Sequence, residues 1–155
     1  MIRHVPVASL VLILTLAAAA PRVLTAQSAE TKSSMANNIT IKIGDKAFAA
    51  TLSDNATAAA FKKLLPLSIT MTELNGNEKF ARLSASVPTQ ASRPSTIETG
   101  DLMLYGSNTL VLFYKSFPTT YSYTKIGRVD DPAGLEAALG PGNVAVSFEL
   151  KREKQ

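Results

Sequence analysis

The chain has 155 residues, 16 of them basic and 12 acidic, for a formal charge of +4, with no cysteine and a single histidine, His4. Without cysteine there is no disulfide framework, no thiol chemistry and no cysteine-held metal. Beyond His4 there is no imidazole to act as general base near neutral pH or as a zinc ligand, so Ser-His-Asp chemistry is excluded from the rest of the chain.

Met1 to His4 is short and positively charged, Val5 to Ala20 is an uncharged apolar run, and Ala26 offers a small residue before a cut. That layout predicts a secretory signal peptide over 1–26 and an exported domain, periplasmic or secreted, with an uncleaved membrane anchor as the alternative. The run is shorter than the roughly 20 residues of a spanning helix, so no stable membrane span is expected once it is removed. Loss of Arg3 and Arg22 leaves 14 basic against 12 acidic residues, a net +2. So weak and unclustered a charge argues against nucleic acid as a partner. Residues 27–38 are small and polar without apolar periodicity, and read as a flexible tether.

Ile39 to Ile43 alternates apolar and polar residues, as a half-buried strand does. Gly44-Asp45 is a tight turn and Lys46 to Leu52 the returning strand, giving a β-hairpin. A helix follows, capped by Ser53 or Asp54, with Thr57, Ala60, Phe61 and Leu64 on one face. Pro66 stops it. Leu67 to Leu74 is a third strand, its Leu, Ile and Met on one side, ended by Asn75-Gly76-Asn77. Glu78 to Thr99 holds Pro88, Pro94 and many hydroxyls, and reads as a long excursion with short extended pieces.

Gly100 to Lys115 predicts a hairpin around Ser107-Asn108 that pairs Tyr105 with Leu110, Leu104 with Val111, Met103 with Leu112 and Leu102 with Phe113. Both of its faces are apolar, so it should be covered on both sides, by core on one and a helix on the other. Tyr121 to Asp130 supplies another strand. Asp131 and Pro132 open a second helix with Leu135, Ala138 and Leu139 on its apolar face, and Gly140-Pro141-Gly142 closes it. Asn143 to Glu149 is the last strand, and 151–155 a charged tail. The expected fold is mainly β with two helices, over 39–150: a closed antiparallel β-barrel capped by two α-helices, which leaves no strand edge unpaired.

Three stretches, "LPLSITMTELNGNEKF", "GDLMLYGSNTLVLFY" and "YTKIGRVDDPAGLEAAL", resemble the small bacterial cyclophilin-like domains, minimal barrels without the insertions of true cyclophilins. The resemblance covers about Ile39 to Glu149 and implies the cyclophilin-like antiparallel barrel. It carries no established activity for the small domains. True cyclophilins are prolyl isomerases with a Phe-His-Arg run on the strand after the first helix, whose arginine bonds the substrate proline. The matching strand here has Met71-Thr72-Glu73, and the family's pocket Trp and His have no counterpart.

The expected function is binding of an extended peptide or small molecule at an aromatic-lined barrel mouth, with weak peptidyl-prolyl isomerase activity as the alternative. A third reading is a purely structural or partner-docking domain, acting beside a redox protein. Candidate ligand-binding residues are Met103, Tyr105, Asn108, Leu112, Phe113, Tyr114 and Tyr121. The aromatics, Phe117 with them, serve equally as core, and Asn108 equally as a turn residue. "SFPTTYSY", Ser116 to Tyr123, is either a lip over the mouth or an ordinary connection. Arg82 is the candidate donor for a displaced isomerase site; it and Arg93 serve equally as surface residues. Glu73 pairs with a nearby cation or, with Glu78, forms an acid–base pair. No cofactor and no metal is expected, and the oligomeric state is not legible.

Overall fold

The computed structural model describes residues 37–151. The expected signal segment 1–26, nearly all of the expected tether and the residues beyond Lys151 lie outside the described residues. Ten strands and two helices are described: β1 (Asn38–Ile43), β2 (Lys46–Leu52), α1 (Ala56–Lys62), β3 (Leu67–Leu74), β4 (Glu78–Arg82), β5 (Thr96–Ile97), β6 (Asp101–Tyr105), β7 (Thr109–Phe113), β8 (Phe117–Pro118), β9 (Thr124–Val129), α2 (Leu135–Leu139) and β10 (Val144–Leu150). Eight strands close into an antiparallel barrel in the order β1-β10-β3-β4-β7-β6-β9-β2, and β5 and β8 pair separately. The barrel begins at Asn38, one residue inside the expected tether.

Period-two alternation sorts the barrel residues by face. Ile39, Ile41 and Ile43 of β1, Met71 of β3, Leu102 and Leu104 of β6, Leu110 and Leu112 of β7 and Phe148 of β10 are among those forming one continuous core. Phe61 of α1 enters it edge-on to Phe148, ring centroids 5.7 Å apart. Leu135 and Leu139 of α2 join the same core. The opposite faces of β6 and β7 build a second apolar cluster from Met103, Val111 and Phe113, with Ile97, Tyr123, Phe80 and Phe117 over them. The expected two-sided burial of this hairpin is therefore present. Its outer cover is the β5–β8 ribbon and the stretch before β9, not a helix.

Several local expectations shift. The β6–β7 turn has three residues, Gly106-Ser107-Asn108, because Gly106 takes a left-handed φ of 59°. Leu102 therefore pairs with Leu112, Met103 with Val111, Leu104 with Leu110 and Tyr105 with Thr109, one residue off the expected register. Asn55 caps α1, its side chain accepting from the Ala58 N–H at 2.8 Å, in place of Ser53 or Asp54. Asp131 accepts from the Ala133 N–H in a local turn, and α2 starts later, after Gly134 at φ 80°.

The largest difference is β4, which lies inside the expected excursion. Asn75 (φ 57°) and Gly76 (φ 67°) reverse the chain, and Glu78 to Arg82 runs back between β3 and β7. The strand is easy to miss because its second residue, Lys79, is fully buried. Its ammonium donates to Glu73 Oε2 at 2.6 Å, the Gly140 carbonyl at 2.7 Å and the Gly142 carbonyl at 2.6 Å. Tyr114 donates to both oxygens of the same carboxylate at 2.8 and 2.9 Å. Glu73, Lys79 and Tyr114 thus make a polar junction where β3, β4 and the end of β7 meet the segment after α2. A buried ammonium is tolerable only with such a complete set of acceptors.

Candidate functional site

The outward positions of β4 are Glu78, Phe80 and Arg82, and those of β7 beside them are Val111 and Thr109. Leu74 of β3 stands across from Glu78. Tyr105 from the end of β6, with Phe117, Tyr121 and Tyr123, forms an aromatic wall beside them. With Asn75 and Asn77 of the β3–β4 turn, these residues enclose a cleft of about 380 Å³ on the outer wall of the barrel. That is within the usual size of small-ligand sites, roughly 300–1,000 Å³.

The wall is a chain of aromatic contacts. Tyr105 lies 6.3 Å from Tyr121 and 5.8 Å from Tyr123, ring centre to ring centre; Tyr123 meets Phe113 edge-on at 5.5 Å; Phe113 lies 5.6 Å from Phe117. Phe113 is fully buried and anchors the stack, whereas Tyr105 and Tyr121 are 48% and 62% exposed. Large aromatics so exposed beside a concavity supply contact area to a partner at low entropic cost.

The floor carries a charge. Glu78 is 8% exposed and, among the described residues, its carboxylate has no hydrogen-bond or ion-pair partner. Burial, and then the charge of Glu73, push its carboxyl above the ordinary value. Burial, then the charge of Glu78, also raises the Tyr123 phenol, against a hydrogen bond with Thr119. Next to Glu78, the Asn77 Oδ1 is buried without a hydrogen-bond partner. The opposite arrangement holds across the barrel wall. Burial works against the Glu73 carboxylate, but hydrogen bonds from Lys79, Tyr114 and the Gly76 N–H hold it below its usual value. Glu73 and Glu78 therefore face opposite sides of the wall, one inside the junction and one in the cleft.

Of the expected binding residues, Tyr105 and Tyr121 line the cleft, as does Arg82. Phe113 and Met103 lie in the apolar layer behind it. Leu112 is in the barrel core, and Tyr114 is in the polar junction. Asn108 is in the β6–β7 turn, its carbonyl accepting from the Leu83 N–H at 2.8 Å. Arg93 is exposed in the loop before β5. Ser116 to Tyr123 contributes Phe117, Tyr121 and Tyr123 to the cleft wall. Sequence reasoning passed over Phe80, Thr109 and Val111 as site residues and did not place Glu78 in a cleft. The available signal was the alternation Glu78-Phe80-Arg82 directly after an Asn-Gly-Asn turn. Among the described residues no group of three or more acidic or imidazole side chains is placed to hold a metal, and no helix is long and apolar enough to cross a membrane.

No curated protein matches the chain. Among solved structures it is similar to the solution structure of the hypothetical protein AF2241 from Archaeoglobus fulgidus, at 16% identity and a TM-score of 0.51, over 76% of this chain and 97% of that one. At that identity the likeness speaks for the fold alone. Residues 41–149, from β1 to β10, match the cyclophilin-like family, and the chain belongs to that family.

Proposed function

We propose that this is an exported binding domain whose outer-wall cleft takes an extended peptide or a small ligand with an apolar body. The observation that carries the reading is the concave aromatic wall, in which exposed Tyr105 and Tyr121 overhang an apolar floor of Phe80 and Val111. Such a surface offers contact area without needing rearrangement. Calorimetry with a capped-peptide and fragment panel tests it: ligands found should lose roughly fivefold or more in affinity on Tyr121→Ala, as a stacked aromatic contact worth about 1 kcal/mol or more implies. Undiminished affinity in both Tyr121→Ala and Phe80→Ala refutes the cleft as the site.

A weak prolyl isomerase is the second reading, favoured by Arg82 standing on the same strand face as Phe80, a donor beside an apolar grip. Uncatalysed isomerisation faces a barrier of about 18–20 kcal/mol, which a well-placed donor lowers by localising the amide nitrogen lone pair. A proline-limited refolding assay is expected to show acceleration absent or orders of magnitude below that of a true cyclophilin. Strong acceleration abolished by Arg82→Ala establishes the isomerase instead.

Export rests on residues 1–26, read from sequence. Intact-mass measurement on exported protein should give an N-terminus between Gln27 and Glu30, and retention of Met1 refutes it. We also infer that α1 and α2 close the barrel's open ends, since Phe61, Leu135 and Leu139 all reach the one interior core.

A further inference from the structure

We propose that the cleft recognises an organic cation, an ammonium or guanidinium group seated on Glu78 with its apolar body against the aromatic wall. The inference rests on the binding reading above and names the ligand chemistry.

Three independent features converge on it. First, Glu78 is an acceptor without a donor. The Glu78 residue is 8% exposed, its carboxylate oxygens open to the cleft, and a largely enclosed carboxylate is ordinarily paired or hydrogen-bonded, because desolvating an unpaired charge is costly. Here the protein supplies neither among the described residues. Second, Asn77 Oδ1, on the adjoining residue of the same cleft, is another buried acceptor without a donor. An acceptor-rich end of the cleft favours a ligand group with several N–H donors, as ammonium and guanidinium have and a hydroxyl does not. Third, Tyr105, Tyr121 and Tyr123 form one wall of the same cleft. Aromatic faces attract cations, most strongly where water is excluded.

The protein's own cations do not fill the role. Arg82 lies on the same strand face, four residues along and therefore about 13 Å away by the rise of a strand, with Phe80 between. Lys79 points through the opposite face and is consumed by Glu73 and two carbonyls. The nearby charge of Glu73 adds to the burial that pushes Glu78 up, so a cation arriving at Glu78 relieves a penalty already present in the fold.

Titration calorimetry and backbone NMR shifts on the mature domain test the proposal with stated probes. The cations are phenethylammonium, N-acetyl-lysine methylamide and a capped Ala-Lys-Ala tripeptide. The neutral partners are phenethyl alcohol and the norleucine counterparts. We expect at least one cation to bind with shifts at β4, Asn77 and Tyr121, roughly tenfold or more tighter than its neutral partner, the scale of one charge-assisted hydrogen bond. Glu78→Gln should abolish that preference, and Glu136→Gln, at an exposed surface pair with Lys115, should leave it unchanged. Binding of phenethylammonium as tight as that of the tripeptide assigns the site to small amines; binding by the lysine tripeptide alone assigns it to a basic peptide side chain. Neutral probes that bind as well as the cations overturn the cation assignment and leave the cleft as a binding site. If neither set binds, both readings fall. The wild-type comparison of charged and neutral probes needs no variant, so the test stands whatever Glu78→Gln does to folding.

Discussion

Replacing Lys79 by Met removes a fully buried charge from the barrel wall while keeping most of the side-chain length. The ammonium is fully buried and makes three short contacts, to Glu73 and to the Gly140 and Gly142 carbonyls. Deleting one partner of a buried pair generally costs about 3–5 kcal/mol, because the other is left uncompensated. Two features pull the expectation toward the lower end. Glu73 is 24% exposed on its side chain, so water takes up part of the loss, and it keeps Tyr114 and the Gly76 N–H. The two carbonyls add roughly 1 kcal/mol each for a lost donor. About 5 kcal/mol is expected, a fall of roughly 2–5 M in urea midpoint at the usual slope of about 1–3 kcal/mol/M. Because the Glu73 carboxyl is held below its ordinary 4.5, the stability it contributes is present above that pH and lost as pH falls through the lower folded value. The acid limb of the stability profile should flatten in Lys79→Met. Glu73→Gln/Lys79→Met should cost less than the two single changes added together. Urea titrations showing a loss under about 1 kcal/mol, or strict additivity, refute the view of the junction as a mutually dependent buried unit.

Glu78 should behave oppositely. Its carboxyl is raised, so its contribution is favourable below the ordinary 4.5 and lost as pH rises through the higher folded value. Its ionised form is disfavoured in the fold, so Glu78→Gln should raise the thermal midpoint at the higher pH while removing that pH dependence; a midpoint lowered there contradicts the cleft carboxylate as unpartnered. Tyr114 is pushed up to about 12 by burial first, then by its hydrogen bond to Glu73 and the charges of Glu73, Glu136 and Glu78. Ultraviolet titration should therefore show a phenol ionising well after an ordinary tyrosine, absent in Tyr114→Phe, with stability lost between the ordinary 10 and about 12. A Cβ at Gly127 would stand 2.5 Å from the Thr51 carbonyl oxygen and 3.0 Å from the Leu52 Cα, both backbone. Gly127→Ala should cost about 1–3 kcal/mol or more by forcing β2 and β9 apart, and a neutral result in thermal unfolding contradicts that close approach.

Local rules carried much of the fold. The first hairpin follows from Ile39-Thr40-Ile41-Lys42-Ile43 and a Gly-Asp turn, and Ile43 indeed pairs with Lys46 across it. The β4 strand was illegible for a physical reason: burying Lys79 is justified only by acceptors from Glu73, Gly140 and Gly142, the last two more than sixty residues away. The site was half legible because β6 and β7 are apolar on both faces. Composition there does not distinguish Leu112, which faces the core, from Val111, which faces the cleft. Only the register decides, and the register turns on Gly106 adding a third residue to the turn. Glu78 was invisible as a site residue for the same reason as β4, since its role depends on Leu74 and Phe113 standing opposite it on neighbouring strands.

The barrel is sealed by β10, which hydrogen-bonds to β1 on one side and to β3 on the other. Until residues 144–150 are available, β1 and β3 each present a bare edge, and the interior has a gap where Val146 and Phe148 belong. A chain made from its N-terminus onward therefore spends its synthesis as an open, incompletely paired sheet. Closure waits for the last strand and joins segments about a hundred residues apart, the kind of long-range pairing that makes β folds slow to form. Exposed edges over that interval invite pairing with other chains. The order of strands around the barrel thus makes completion a single late event in the life of the molecule, and its period of greatest vulnerability ends only with β10 in place.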